Sequence, residues 1–427
     1  MIHLSKPLRL CAAMITLLLS SHSSLLAYPL DGFDDTEIPR LEGYYDSLQT
    51  LDGKMNFVPG QLVSMLETKL RLSGKEFDLP AADKHLSEKL GTLAGRDAPQ
   101  YAISLLDLSN PDRPVYAGLN DDQTFLPAST GKLLVALAFF QELADLYPKD
   151  FRARLRILRK TIIEADEYSQ PDTHDVPIWH PDTRMIEFRP VKVGERGNLY
   201  TFLDWMLSSS SNAAGNTIMR ELVLLRHFKA AYPPPAAEAA RFLSSSSPSS
   251  LAHLLRESIQ HTLRQNDLDM SRLYHTSLFT SRGRELIPSD GSAATSREFV
   301  RLLLRMEQAR LVDPFSSIEL KRLLLLTQTR IRFASAPELD SAAVYFKSGS
   351  LSRCTPARQA SCRQFYGNAV NLMNSVAIVE APAGEPRHHY LVVMSSNVLS
   401  KDSAAEHAQI AAGIQELITN TTYPTKR

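Results

Sequence analysis

Neither sign of charge is in excess in this chain: 47 Lys and Arg stand against 47 Asp and Glu in 427 residues. A nucleic acid would therefore meet no basic footprint, and no basic helix addresses an anionic membrane surface. Cysteine is scarce, with three in all. The apolar run Leu10–Leu19 is too short to span a bilayer. No internal repeat divides the chain. What remains is 44% hydrophobic and 22% charged residues, the make-up of a soluble globular protein with a sizeable core. The length fits one large domain plus an extension.

The N-terminus departs from that average. Lys6 and Arg9 precede the apolar run, and a serine-rich stretch leads to Leu25-Leu26-Ala27. This is the pattern of a cleaved export signal over residues 1–27, and it leaves no stable membrane anchor. Cys11 sits in a poor lipobox. Removal of the signal leaves Cys354 and Cys362, eight residues apart in a polar segment with Pro356. In an oxidising compartment, periplasmic or secreted, they are expected to close a structural loop disulfide, the alternative being two free thiols.

Residues 28–78 read as an N-terminal extension, irregular at first, with a helix around Gly60–Leu72. The main domain is expected over 79–422. Ala81–Leu93 has helical spacing, and Tyr101–Leu108 and Val115–Leu119 read as strands joined by a turn. Pro127 precedes a strongly apolar helix beginning at Leu133. The Pro- and Asp-rich stretch 164–185 reads as a long loop. Tyr200–Leu207 and Ala213–Leu225 are helical in pattern, and 231–250 reads as a surface linker. Helices are expected at 251–264, 296–309 and 317–327, followed by strands at 342–346, 375–380 and 389–396 and a closing helix at 404–419. Strands at both ends enclosing a helical middle imply an α+β fold: an antiparallel sheet flanked by terminal helices, plus an all-α subdomain.

Three short motifs carry the chemistry: Ser129-Thr130-Gly131-Lys132, Ser210-Ser211-Asn212 and Lys347-Ser348-Gly349. Positions three apart lie on one helix face, so Lys132 meets Ser129 if Ser129 opens the apolar helix. A serine hydroxyl needs a base, and a buried lysine can be one because desolvation favours its neutral amine. Ser210 and Asn212 fall between two helices, where Ser210 can relay a proton to a leaving nitrogen and Asn212 can hold a carbonyl. Lys347 ends a strand; its ammonium and the Ser348 hydroxyl suit a substrate carboxylate, and Gly349 lets substrate lie along the strand edge. Asp172, His174, Asp175, His180 and Asp182 match no metal-binding spacing and read as solvated loop polars, so no metal or other cofactor is expected. Trp179 and Trp205 read as packing residues.

Together the motifs S-x-x-K, S-x-N and K-[ST]-G, in this order, resemble the class A β-lactamase-like branch of the penicillin-recognising serine hydrolases. The likeness runs from about residue 80 to 420, with motif intervals of 81 and 137 residues. It implies that Ser129 is the acylated nucleophile, Lys132 its base and Ser210 the proton shuttle. Asn212, Lys347, Ser348 and Gly349 would bind substrate, and the backbone N–H groups of Ser129 and Ser350 would form the oxyanion hole. The implied partner is a small-molecule β-lactam or a peptidoglycan peptide, acted on by a monomer. One departure stands out: the family's Glu-x-x-Leu-Asn loop, whose Glu activates the deacylating water, would fall near Thr280–Arg284, which has neither residue. Asp267, Asp269 and Glu285 are the acids nearby. Slow deacylation is the consequence, as in a penicillin-binding carboxypeptidase, transpeptidase or esterase. A non-catalytic binding domain is the alternative of another class.

Overall fold

The computed structural model describes residues 31–50, 57–327, 330–355 and 362–420. The export signal expected at 1–27 lies outside these residues. The chain begins with helices α1 (Phe33–Thr36), α2 (Pro39–Thr50) and α3 (Lys84–Ala94), then strands β1 (Tyr101–Asp107) and β2 (Val115–Leu119). Helices α4 (Lys132–Leu146) and α5 (Phe151–Lys160) follow, with short strands β3 (Ile162–Glu164), β4 (Asp175–His180), β5 (Met185–Pro190) and β6 (Arg196–Asn198). The helical middle holds α6 (Leu199–Leu207), α7 (Asn212–Phe228), α8 (Ala236–Ser245) and α9 (Pro248–Gln265). It continues through β7 (Leu273–His275), α10 (Ser281–Leu286), β8 (Ser292–Ala294), α11 (Ser296–Glu307) and α12 (Pro314–Leu325). Strands β9 (Ala343–Arg353), β10 (Val370–Ala381) and β11 (His388–Asn397) and helix α13 (Ser403–Asn420) complete it.

The main sheet has the order β2-β1-β11-β10-β9, with every pairing antiparallel. Successive strand residues face opposite sides, and both sides here are apolar. Tyr390, Val392 and Met394 of β11 join a core with Leu90 of α3 and Ile410, Ile414 and Ile418 of α13. Their neighbours Leu391 and Val393 join the larger core, which includes Val300 and Leu303 of α11 and Leu324 of α12. The α+β fold is therefore as the sequence implies, a sheet between terminal helices and a helical subdomain. Within that subdomain α4 is buried at every position from Lys132 to Ala144, as an all-round apolar helix must be.

Four stretches differ from the sequence expectation. The start of the extension, expected to be irregular, is helical in α1 and α2. Instead of a helix around 60–72, the chain makes a short 3₁₀ turn at Pro59–Gln61 and then irregular turns. Its backbone is satisfied from outside: the Gly60 amide donates to Asp340 O, the Leu72 amide to Glu307 O and the Arg71 amide to Glu307 Oε2. Most of the 231–250 stretch is helical, forming α8 and the start of α9, because its alanines favour helix and Ser247 caps α9 by accepting from the Ser250 amide, with Pro248 at the first helical position. The 164–185 loop folds into β4 and the first turn of a hairpin with β5. Trp179 and Trp205 pack as expected, and the Trp205 indole donates to Pro177 O. Cys354 and Cys362 are disulfide-bonded. Among the described residues no helix is long and apolar enough to cross a membrane.

The extension is part of the core from residue 31 onward: Ile38, Leu41, Met65 and Leu72 are buried in the same cluster as α4. Arg40 is fixed there by a two-pronged ion pair, Nε and Nη2 each 2.6 Å from the Asp204 carboxylate of α6. Both side chains are out of solvent, so removing one partner strands a buried charge. Asp204→Ala is expected to cost about 3–5 kcal/mol in urea unfolding. A loss below about 1 kcal/mol, the range of exposed pairs, would show that the extension is not anchored through Arg40.

Candidate active site

Ala128 adopts a left-handed φ of 48° and turns the chain into the 3₁₀ turn Ala128–Gly131, which runs directly into α4. That turn sets Ser129 over Lys132, with Nζ 3.1 Å from Oγ. The lysine is entirely buried. Its Nζ also donates to Ser210 O at 2.6 Å and Asn212 Oδ1 at 2.7 Å, and lies 4.5 Å from the Phe279 ring centre. Burial lowers its pKa to about 7, against the attraction of the Asp172 carboxylate, which acts in the opposite direction. Near neutrality a large share of Lys132 is therefore an uncharged amine in contact with a hydroxyl.

Ser210 lies between α6 and α7 with φ 60°, the left-handed strain that a non-glycine residue keeps only where its surroundings enforce it. Ser211 caps α7, its Oγ accepting from the Ala214 amide. The strained turn aims the Ser210 hydroxyl between two lysines, 2.8 Å from Lys347 Nζ and 3.5 Å from Lys132 Nζ. Lys347 also donates to Ser348 O at 2.8 Å. Burial, then the positive charges of Lys132 and Arg332, push Lys347 well below the ordinary lysine range.

Strand β9 presses directly on the serine turn. A Cβ at Gly349 would stand 2.8 Å from Pro127 O and 2.9 Å from the Ser129 amide nitrogen, so only glycine fits. Asn374 of the neighbouring β10 donates to the carbonyls of Leu126 and Pro127, tying the turn to the sheet. Ser350 accepts from Arg332 Nη2 at 3.1 Å. Ser129, Lys132, Ser210, Asn212, Lys347, Ser348, Gly349 and Ser350 are thus brought together from three separate stretches of chain. Ser210, Lys347 and Ser348 line a groove of about 270 Å³, with Asp175, Phe188 and Ile331 among its other walls.

Three further groups had no motif to announce them. Asp172, read as a solvated loop residue, has a fully buried carboxylate that accepts from Ser211 Oγ and the Ala213 amide. Arg332 follows an irregular loop, with its guanidinium over the Phe365 ring and burial lowering its pKa to about 10. Phe279 stacks on the buried His275 imidazole, ring centres 4.8 Å apart. The loop that carries Phe279 is held by Asn216, which accepts from the Phe279 amide and donates to Tyr168 O and Thr280 Oγ1. An aromatic ring, not a carboxylate, is what this loop lays over Lys132.

The acids considered as substitutes lie elsewhere. Asp267 pairs with Arg305, Asp269 with Arg272 and Glu285 with Arg282, all at exposed positions. The loop polars Asp172, His174, Asp175, His180 and Asp182 form no metal-type cluster; among the described residues the one such group is Glu307, Glu380 and His389. There Lys321 Nζ, 2.5 Å from Glu307 Oε1 and 2.7 Å from Glu380 Oε1, already supplies the cation.

The model of the beta-lactamase enzyme family matches residues 249–420. Among solved structures, PBP-A aligns with TM-score 0.51 and 14% identity, over 80% of this chain and 100% of that one. A point mutant of PBP-A, solved as an acyl-enzyme complex with penicillin G, aligns with TM-score 0.51 and 13% identity, over 81% and 100%. The fold is similar to that of PBP-A, and residues 249–420 resemble the beta-lactamase enzyme family. TLA-3 extended-spectrum beta-lactamase aligns at TM-score 0.49 and 12% identity, over 79% and 99% of the two chains. No curated protein sequence matches.

The contact between Gly349 and the serine turn is backbone against backbone and cannot relax by side-chain movement. Gly349→Ala is therefore expected to cost about 1–3 kcal/mol in denaturant unfolding. Unchanged stability would mean that β9 can move off the turn.

Proposed function

We propose that this protein is an exported serine acyl-transfer enzyme that is acylated on Ser129 by β-lactams and releases the acyl group slowly. The observation that carries the reading is the 3.1 Å contact between Ser129 Oγ and a buried lysine whose pKa lies near 7. The neutral Lys132 amine takes the hydroxyl proton as Oγ attacks the amide carbonyl. The N–H groups of Ser129 and Ser350 receive the developing oxyanion. Ser210, hydrogen-bonded to Lys347 and in reach of Lys132, passes a proton to the leaving nitrogen. Because Asn212 turns Oδ1 to Lys132, its Nδ2 donors serve a substrate carbonyl. Lys347, Ser348 and Arg332 attract the substrate carboxylate, and Gly349 gives the substrate room along β9. The cysteine pair, which is disulfide-bonded, supports an oxidising compartment.

Hydrolysis of the acyl-enzyme needs a base for water, and Phe279 occupies the position over Lys132. This favours a penicillin-binding, peptidase-like enzyme acting on a peptidoglycan peptide amide over an efficient β-lactamase. Intact mass of the mature protein with penicillin G, followed over time, tests the reading. A drug-sized mass increase that persists for many minutes on the wild type and is absent from Ser129→Ala is the expected result. Rapid drug hydrolysis without lasting adduct would make the protein a true β-lactamase. Equal labelling of Ser129→Ala, or activity unchanged in that variant, would remove Ser129 from the chemistry.

A further inference from the structure

The middle position of the S-x-N motif is an acid in the S-D-N form, and here it is Ser211. A carboxylate nevertheless sits at that place, brought from a stretch of chain about forty residues earlier. Asp172 Oδ2 accepts from Ser211 Oγ at 2.8 Å and from the Ala213 amide at 2.9 Å, in the first turn of α7. Its Oδ1 accepts from His174 Nδ1 at 2.7 Å and from the amides of Thr173 and His174. The side chain has no solvent exposure. Five donors therefore converge on one buried carboxylate, two from the motif turn and three from its own loop.

We infer that Asp172 is a positioning residue of the acylation site, supplying from a distant stretch of the same chain the carboxylate that the motif lacks, holding the Ser210–Asn212 turn and setting the charge felt by Lys132. The inference rests on the functional reading above for its effect on rate, but not for its effect on Lys132. The turn it holds carries both acceptors nearest Lys132 Nζ, Ser210 O and Asn212 Oδ1. Burial would raise the Asp172 carboxyl, but the hydrogen bonds from His174, Ala213 and Ser211 outweigh it and hold the group ionised, at about 2. Its negative charge opposes the desolvation of Lys132. The other titratable groups around Lys132 are cationic or neutral. Lys347 approaches from β9, and buried His275, from β7, is held neutral at about 3 by burial and by the charge of Lys132. Asp172 thus keeps Lys132 high enough to be a competent base while burial lowers it.

An amide cannot replace this carboxylate. Asn has one acceptor oxygen and one donor nitrogen, so whichever way it turns, one set of donors faces a donor. Two readouts follow for Asp172→Asn. Carbon-13 NMR of lysine-labelled protein, with the Lys132 signal assigned through Lys132→Arg, should show Lys132 titrating at lower pH than in the wild type. Acylation by a fluorescent penicillin should fall on the order of 100-fold, the cost of a displaced catalytic turn. The double variant Asp172→Ser/Ser211→Asp returns a carboxylate to the motif and should restore at least about tenfold of the rate, with Lys132 titrating as in the wild type. A Lys132 titration unchanged in Asp172→Asn, with acylation within threefold of wild type, would overturn the inference. Should Asp172→Asn not fold, the double variant decides: restored titration supports the inference, and a Lys132 shifted despite the new carboxylate overturns it. A wild type that penicillin does not label would defeat the functional reading alone, since the NMR titration would still judge Asp172.

Discussion

Everything at the site depends on keeping the Lys132 amine out of water. An ammonium in an apolar helix is costly, and the chain meets that cost by letting the group sit close to neutral. The arrangement of α4 follows. A helix buried through its first thirteen residues can carry one amine at its start only if backbone and side-chain acceptors gather there, and the strained turn at Ser210 supplies them. The same desolvation that destabilises the charge makes the lysine a usable base. Site and core are therefore one structure: the apolar run Leu133–Phe140 is the reason Ser129 has a partner able to take its proton.

The sheet provides the second wall of the site, which carries Lys347 and Ser348. Its contribution is distance. Gly349 removes the one Cβ that would separate β9 from the serine turn, and Asn374 holds that turn from the neighbouring strand. On the same face of the sheet as the site, the Lys321 ammonium, shared by Glu307 and Glu380, locks α12 to α11 and β10. Arg71 reaches the same Glu380 carboxylate from the extension and ties that part of it to the domain.

Much of this was legible in the sequence, for identifiable reasons. Spacing predicts that Lys132 meets Ser129 at the start of α4, and the resemblance implies the company of the other two motifs; Lys347, expected at a strand end, lies within β9, which runs on to Arg353. The apolar runs of α4, β10 and β11 marked them as buried elements. What could not be read depends on contacts between distant segments. Asp172 looks like any loop aspartate until α7 begins beside it, and Phe279 looks like a core residue until Asn216 anchors its loop over Lys132. Around residues 60–72 the apolar spacing suggested a helix, but hydrogen bonds to Asp340 and Glu307 took its backbone. Serine and proline at 244–250 suggested a linker, although Ser247 and Pro248 together are a helix start.

The account stands on Lys132 being the base, and the pH dependence of the wild-type acylation rate tests that most directly. Single-turnover acylation by penicillin G would be followed from pH 5 to 9 at constant ionic strength. If the neutral amine is required, the rate rises with pH through an apparent pKa of about 7 and then levels off. A rate that is flat across this range, or one still climbing tenfold per unit at pH 9, would contradict a base whose pKa burial has lowered.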